Sequence, residues 1–549
     1  MPGVDDLLDN WILSEMERDP TRATALGLPG YDRRLGDLGA AAWEARPAQD
    51  RRAAAAIRSL ELTRYPLEDQ VDLVLVLSEL AGRAAMEDWH TWRRDPSLYV
   101  DPCLDGVHLL WLHRLAPEAE LVEASVARLA AVPEVLAAAR DNLDPEVMPA
   151  LFARRGAAAA RAGAGFLADL LPAEVSDHQA RRRLAEAGAS AADALGSFAQ
   201  WLEEGERASR GDWAIGEARY SALLTDRELL GVDAAGLHQR GLETYETLSA
   251  EMTELAERID PGAGGWVPLL ARLDAECPST PEEMRADYER WCGLARDFLT
   301  DRELVSFPEG ESCAVVPSPV FQRPLLAVAS YQPPPPFSAS RLGHFFVPYP
   351  PEGEPPEGVA QRLASNGYHA IPTTAVHEAY PGHHWHLVWS AQTRRPVRKV
   401  VTTSYFVEGW ALYSEVMMRR EGFFGDPRAE LSHLGARIFR AARIVVDTAL
   451  HTGEMTAEQA VDFMRRKVAM TQAVAVAEVE RYCSWPTQAA SYLTGSLQIE
   501  ALRDRWQADG RGDLRSFHDS VAADPGLPVA LVERRLWPDD APEGGRPVA

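Results

Sequence analysis

Residues 377–386 read His377-Glu378-Ala379-Tyr380-Pro381-Gly382-His383-His384-Trp385-His386. The run joins a strand-forming segment upstream to a long helical stretch downstream, so its reading frames the fold. Five of the chain's 14 histidines fall between positions 369 and 386. A His-Glu pair with more histidines one or two turns on is the pattern of a zinc site. Zinc takes neutral imidazoles and a carboxylate and leaves one position to water. It lowers that water's pKa toward ~7, and an adjacent Glu takes the proton. His377 is then a ligand and Glu378 the general base.

The spacing departs from HExxH, where the second His lies four residues on, ~40° round and ~6 Å up the helix. Here that position is Pro381. His383 lies six on, ~240° round a straight helix and on the wrong face. His384 lies seven on, on the right face but ~10.5 Å up, too far for two ~2.1 Å bonds to one ion. Pro381 disfavours helical geometry at Tyr380, and Gly382 tolerates almost any backbone. The spacing therefore predicts a bulge or break at Pro381-Gly382 that returns His383 or His384 to the metal.

The next helix reads Ser404-Tyr405-Phe406-Val407-Glu408-Gly409-Trp410-Ala411-Leu412-Tyr413-Ser414-Glu415. Glu408 and Glu415 are two turns apart and share a face within ~20°. Both sit among large apolar residues, where an unpaired carboxylate is costly. One of them binding the metal and the other a ligand His removes that cost.

Further on, Arg440, Arg443, Asp447 and His451 form a polar stripe on one apolar helix. Pairs at i, i+4 can interact there, as an ion-pair network or as a holder of a substrate carboxylate. Near the C-terminus stand Arg481, Tyr482 and Tyr492. A Tyr hydroxyl can donate to an oxyanion, and Arg can grip a carboxylate.

Outward from these motifs, residues 1–300 are rich in Ala, Leu, Glu and Arg, the strong helix formers. Leu73, Val74, Leu77, Leu80 and Ala81 recur at helical spacing as core. Between 305 and 372 short strands are expected at Ala314–Val316, Leu325–Tyr331 and Phe345–Val347, broken by Pro333–Pro336 and a Pro-Gly stretch. Helical patterning returns over 373–508 and carries the metal-site and substrate-site residues. The fold class is mostly α. Residues 1–549 read as one large helical unit, in which 305–372 supplies a small sheet beside the site.

Lys and Arg number 56 against 82 Asp and Glu, a net charge of −26. That argues against a nucleic-acid binder, which needs a basic surface, and against docking on anionic membranes. The five cysteines are widely spaced with no CxxC, which argues against a disulfide framework. No secretory signal and no membrane-spanning run is read from the sequence, so a cytoplasmic location is expected.

Taken together, His377–His384 (HEAYPGHH), Glu408–Glu415 (EGWALYSE), Arg440–His451 (RAARIVVDTALH) and Arg481–Gly495 resemble the bacterial domain-of-unknown-function 885 family. That family is similar to the helical zinc metallopeptidases: thermostable carboxypeptidases, thimet-type oligopeptidases and angiotensin-converting enzyme. The resemblance implies a two-lobed helical fold with a deep channel and a small sheet beside the metal. It implies His377 as first ligand and Glu378 as base. It makes Glu408 the carboxylate ligand, since a Glu follows the second His there at a spacing like the 25 residues from His383 to Glu408. The Gly-His pair at 382–383 resembles that of HExGH with two residues inserted, which favours His383 over His384. Tyr492 stands where those enzymes carry a transition-state tyrosine, with Tyr482 second.

The expected activity is a zinc-dependent metallohydrolase that cleaves a peptide or amide bond with metal-activated water. One zinc ion is expected, another divalent metal being the alternative. Arg481, Arg443 or His451 binding a substrate carboxylate favours a carboxypeptidase or dipeptidase. Competing readings are a hydrolase trimming an acyl or aminoacyl group from a small metabolite, and a catalytically silent metal-binding protein. Glu378 speaks against the last, because a pure binding site needs no base beside its ligand. Oligomeric state stays open.

Overall fold

The structure, a computed structural model, describes residues 3–323, 328–524 and 526–540. The chain divides into two compact units. One comprises Met1–Ile215 with Pro335–Ala339, the other Gly216–Pro334 with Ser340–Ala549.

The first unit is helical. Its long helices include Leu67–Ala85, Glu118–Asn142, Ala150–Gly165 and His178–Glu206. Leu73, Val74, Leu77 and Leu80 are buried, as their spacing predicts, while Ala81 sits at the edge of the core. Leu136, Ala153, Ala160, Leu195 and Phe198 form its centre. Buried Arg128 is accommodated because it donates to the carbonyls of Arg34, Pro20 and Tyr31 and to the Thr24 hydroxyl.

The second unit carries the motifs. Its site-bearing elements run in order as helix α1 (Ala234–Ile259) and helix α2 (Pro281–Asp301), then strands β1 (Ser312–Pro317), β2 (Ser330–Gln332) and β3 (Leu342–Val347). Six helices follow: α3 (Ile371–Glu378), α4 (His383–Ser390), α5 (Ser404–Arg420), α6 (Pro427–Thr452), α7 (Gln472–Ser484) and α8 (Gln488–Ala508). The sheet order is β1-β3-β2. β1 runs parallel to β3, pairing Ser312 with Leu342 and Pro317 with Val347. β2 runs antiparallel, pairing Ser330 with Phe346. β1 and β3 extend further back than the hydrophobic runs suggest, because Leu342-Gly343-His344 continue the ladder opposite Ser312-Cys313-Ala314. The strand expected at Leu325–Tyr331 is ordered as strand only from Ser330, and its residues 325–327 lie outside the described residues.

Local chemistry sets the helix ends. Thr403 caps α5 through the Tyr405 amide. α6 starts at an Asp426 cap with Pro427 in its first turn, and stops at Gly453, which is left-handed at φ 82°. α5 and α8 cross at two glycines. A Cβ on Gly495 would lie 1.7 Å from the Tyr405 carbonyl oxygen, and one on Gly409 2.7 Å from the Gly495 backbone. Only glycine permits this approach. It brings Glu408, beside Gly409, to the helix that bears Tyr492. Among the described residues, no helix is long and apolar enough to cross a membrane.

Candidate metal centre

α3 ends at Glu378, and α4 begins at His383. Between them Ala379 leaves helical geometry (φ −111°, ψ −87°) and the Tyr380–Pro381 peptide is cis. Backbone hydrogen bonds span the break six residues apart: the Gly382 amide donates to the Val376 carbonyl at 3.0 Å, and the Trp385 amide to that of Ala379 at 3.2 Å. The turn is thus wider than the four-residue ladder of an α-helix by two residues. A Cβ at Gly382 would fall 1.9 Å from the His377 carbonyl oxygen, so glycine is required there. α5 clasps the turn from the other side. Trp410 Nε1 donates to the Pro381 carbonyl at 2.9 Å, and the Trp410 ring stacks on Trp385.

This geometry gathers His377, His383 and Glu408. One ligand-capable atom from each lies within 4.8 Å of the others. Nε2 of His383 is 3.3 Å and Nε2 of His377 3.7 Å from Glu408 Oε2. The His377 and His383 rings stand edge-on with centroids 4.8 Å apart. His377 Nδ1 donates to Glu415 Oε1 at 2.7 Å, which leaves its Nε2 to face Glu408. A carboxylate behind a ligand imidazole is the usual way to fix its tautomer and orientation. Nδ1 of His383 is buried without a hydrogen-bond partner.

Two imidazoles and a carboxylate suit zinc, and a three-residue set leaves a position open. The separations of Oε2 from the two Nε2 atoms match the edges of a tetrahedron built on ~2.1 Å bonds. The residues therefore fit a divalent ion.

Charges around the cluster are strongly perturbed. Burial works against ionised Glu408, yet His383 and His377 hold its carboxyl well below the usual range. Glu415 is likewise held down to about 2, against burial, by His377 and His433. Burial disfavours protonated His377, but Glu408 and Glu415 raise it to about 10. Burial lifts Glu378, while His377, His383 and Arg440 pull the other way. Glu378 is half-buried and stands directly after His377 at the end of α3.

Several expected residues lie elsewhere. His384, the alternative ligand, is fully buried; its Nε2 donates to Glu311 Oε2 at 2.8 Å and its Nδ1 accepts from the Tyr331 hydroxyl at 2.9 Å. Both nitrogens are committed, so His384 is removed from the metal set. His451 is also removed from the substrate-binding set. It is buried against Tyr220, with Nε2 3.0 Å from the Tyr482 carbonyl. Asp447 accepts from the Tyr220 hydroxyl at 2.5 Å and the Thr487 amide at 3.0 Å, an interior network. Tyr482 is buried and donates its hydroxyl to Glu478 Oε2 at 2.5 Å, so it does not present a proton to an oxyanion. Arg443 and Arg481 both reach that same Glu478 oxygen, at 2.9 and 3.1 Å. Tyr492 is half-buried, 3.4 Å from Gln488 Nε2; burial and then the Glu408 charge raise its pKa.

Sequence reading missed two residues. His433 on α6 places Nδ1 3.3 Å from Glu415 Oε2, behind the His377 support. Glu311, just before β1, accepts from His384, from the Tyr380 hydroxyl at 2.8 Å and from Arg296 at 2.6 Å. Neither carries a spacing signal to the motifs; a rare histidine amid the apolar stripe of α6 is the faint clue to the first.

The fold and the site define a mostly helical protein with a three-stranded sheet and a His-His-Glu cluster at a broken helix. The chain belongs to the family described as "Bacterial protein of unknown function (DUF885)", whose profile matches residues 20–536. No curated protein matches it. A "putative lipoprotein of unknown function" from Shewanella oneidensis superposes with TM-score 0.80 at 20% identity, over 98% of this chain and 100% of that one. A "putative lipoprotein" from Colwellia psychrerythraea superposes with TM-score 0.82 at 20% identity, over 98% and 99%. These likenesses are of fold. Their descriptions run against the cytoplasmic location expected from the sequence, and that expectation is withdrawn.

Proposed function

We propose that this protein is a metal-dependent hydrolase of peptide or other amide bonds. The observation that carries the reading is the convergence of His377, His383 and Glu408 with Glu378 at the end of the same helix as His377. Those three residues would hold the ion, with zinc the best match to the donor set. When bound, the ion supplies Lewis acidity toward a carbonyl and toward water.

The chain's own residues do the rest. Glu378 takes a proton from the attacking water and returns it to the leaving amine. Glu415 keeps the His377 ring in one tautomer. Tyr492 keeps its hydroxyl proton available, since the neighbouring Gln488 Nε2 is itself a donor. That proton can stabilise charge developing on the substrate oxygen.

The test is a Glu378→Gln variant, assayed for zinc content and against a peptide library beside the wild type. The expected result is full zinc content with turnover lowered by about 10²- to 10⁴-fold. Turnover equal to wild type would reject the mechanism.

A further inference from the structure

α6 carries three arginines at three-residue spacing, and the structure treats them differently. Arg437 Nη2 pairs with Glu500 Oε1 at 2.6 Å. Arg443 Nη2 pairs with Glu478, and its Nε donates to the Tyr482 hydroxyl at 3.0 Å. Arg481, arriving from α7, spends its donors on Glu478 and on Gln488 Oε1 at 2.6 Å. Arg440 is the exception. Its Nη1 donates at 3.0 Å to the Ala436 carbonyl of its own helix, and its Nε is buried with no partner. Among the described residues, no carboxylate lies within 4.0 Å of its guanidinium nitrogens.

The position of this cation gives it a use. Its Cζ is 6.0 Å from the centre of the Tyr492 ring. Its charge is felt by Glu378 and by Glu415. The side chain is only half-buried, so a ligand can reach it. A guanidinium offers a planar fork that fits a carboxylate in two parallel hydrogen bonds. Holding an unpaired charge partly out of water is unfavourable without a partner, and a ligand carboxylate supplies one.

We propose that Arg440 binds a carboxylate of the substrate, so that this site selects amides carrying a free acid near the bond that is cut. The inference rests on the hydrolase reading above and names the substrate class. It replaces Arg443, Arg481 and His451 in the role the sequence suggested for them, because those groups already have partners inside the protein. The carboxylate has two sources: the C-terminal acid of a peptide, or an acidic side chain.

Three hydroxamate probes distinguish these, measured by calorimetry on zinc-loaded protein. Each joins a malonyl hydroxamate to leucine, to leucinamide or to glutamic acid α-amide. They carry, respectively, a terminal acid, no acid and a side-chain acid. One acid-bearing probe is expected to bind about 10- to 100-fold tighter than the neutral one, as for charge-assisted hydrogen bonds to a desolvated group. Which acid gains identifies the source. In Arg440→Gln the gain disappears, so that the acid-bearing probe binds no tighter than the neutral one, and an unchanged zinc content shows that the variant is folded. Equal binding of all three probes to the wild type overturns the proposal without recourse to any variant, as does a gain that survives in Arg440→Gln. Failure of every probe to bind zinc-loaded wild type overturns the hydrolase reading with it.

Discussion

Nδ1 of His377 lies 2.7 Å from Oε1 of Glu415, a carboxylate buried on the neighbouring helix. The contact turns Nε2 of the same ring toward Glu408. Replacing Glu415 with Gln keeps the shape and removes the charge that orients the imidazole. Metal affinity is expected to fall about 10- to 100-fold, as for other carboxylates behind ligand histidines. A competition titration against a zinc chelator reads the change directly, and an unaltered affinity would show that the contact does not support the ligand.

His383 and His384 are adjacent in sequence, yet His383 faces Glu408 and His384 faces Glu311. His383→Ala is expected to remove metal binding. His384→Ala is expected to keep the metal but to take one hydrogen-bond donor from buried Glu311, at a cost of about 1–3 kcal/mol. Chemical denaturation and zinc titration on both variants separate the two. The reverse pattern would make His384 the ligand.

The glycine crossing of α5 and α8 sets the distance between Glu408 and Tyr492. Gly495→Ala puts a methyl group 1.7 Å from the Tyr405 carbonyl oxygen, and backbone cannot yield there as a flexible side chain would. Overpacking of this kind costs about 1–3 kcal/mol or more. A thermal melt should show a drop of several degrees at least, with weaker metal binding as the helices part. An unshifted melt would mean that the crossing is looser than its geometry indicates.

Asp447 gives the fold a pH dependence. Burial raises its carboxyl to about 7, against partial compensation from the Tyr220 hydroxyl and the Thr487 amide. An unfolded chain has the same group near ~3.9. The folded protein therefore holds the proton more tightly. The contribution to stability is full below the unfolded value and is lost as pH rises through about 7. Between pH ~5 and ~8 the wild type should lose about 2–3 kcal/mol that Asp447→Asn, which cannot ionise, does not lose. Denaturation series for both proteins across that range test it. A constant offset between them would show that Asp447 does not titrate there.

The grouping of His377 with Glu408 was legible in the sequence because rare residue types stand close together in two short motifs. The choice between His383 and His384 was not settled by local spacing. It depends on how the chain bends, and the bend is held by the Gly382–Val376 hydrogen bond, by Trp410 on α5 and by Glu311 far upstream. The helices of the first unit follow from Ala- and Leu-rich periodicity, whereas the start of β3 follows from a partner strand that periodicity does not see. The arginines illustrate the same limit. Arg440, Arg443 and Arg481 look equivalent as a pattern, and only the tertiary placement of Glu478 distinguishes the occupied pair from the one left without a carboxylate.

The central claim is that one divalent ion is held by His377, His383 and Glu408. Crystals grown with zinc and measured at the zinc absorption edge test it most directly. The account predicts a single anomalous peak at bonding distance, ~2.0–2.2 Å, from Nε2 of His377, Nε2 of His383 and an oxygen of Glu408. Zinc found only at other residues, or no peak at this cluster in zinc-saturated crystals, would contradict it.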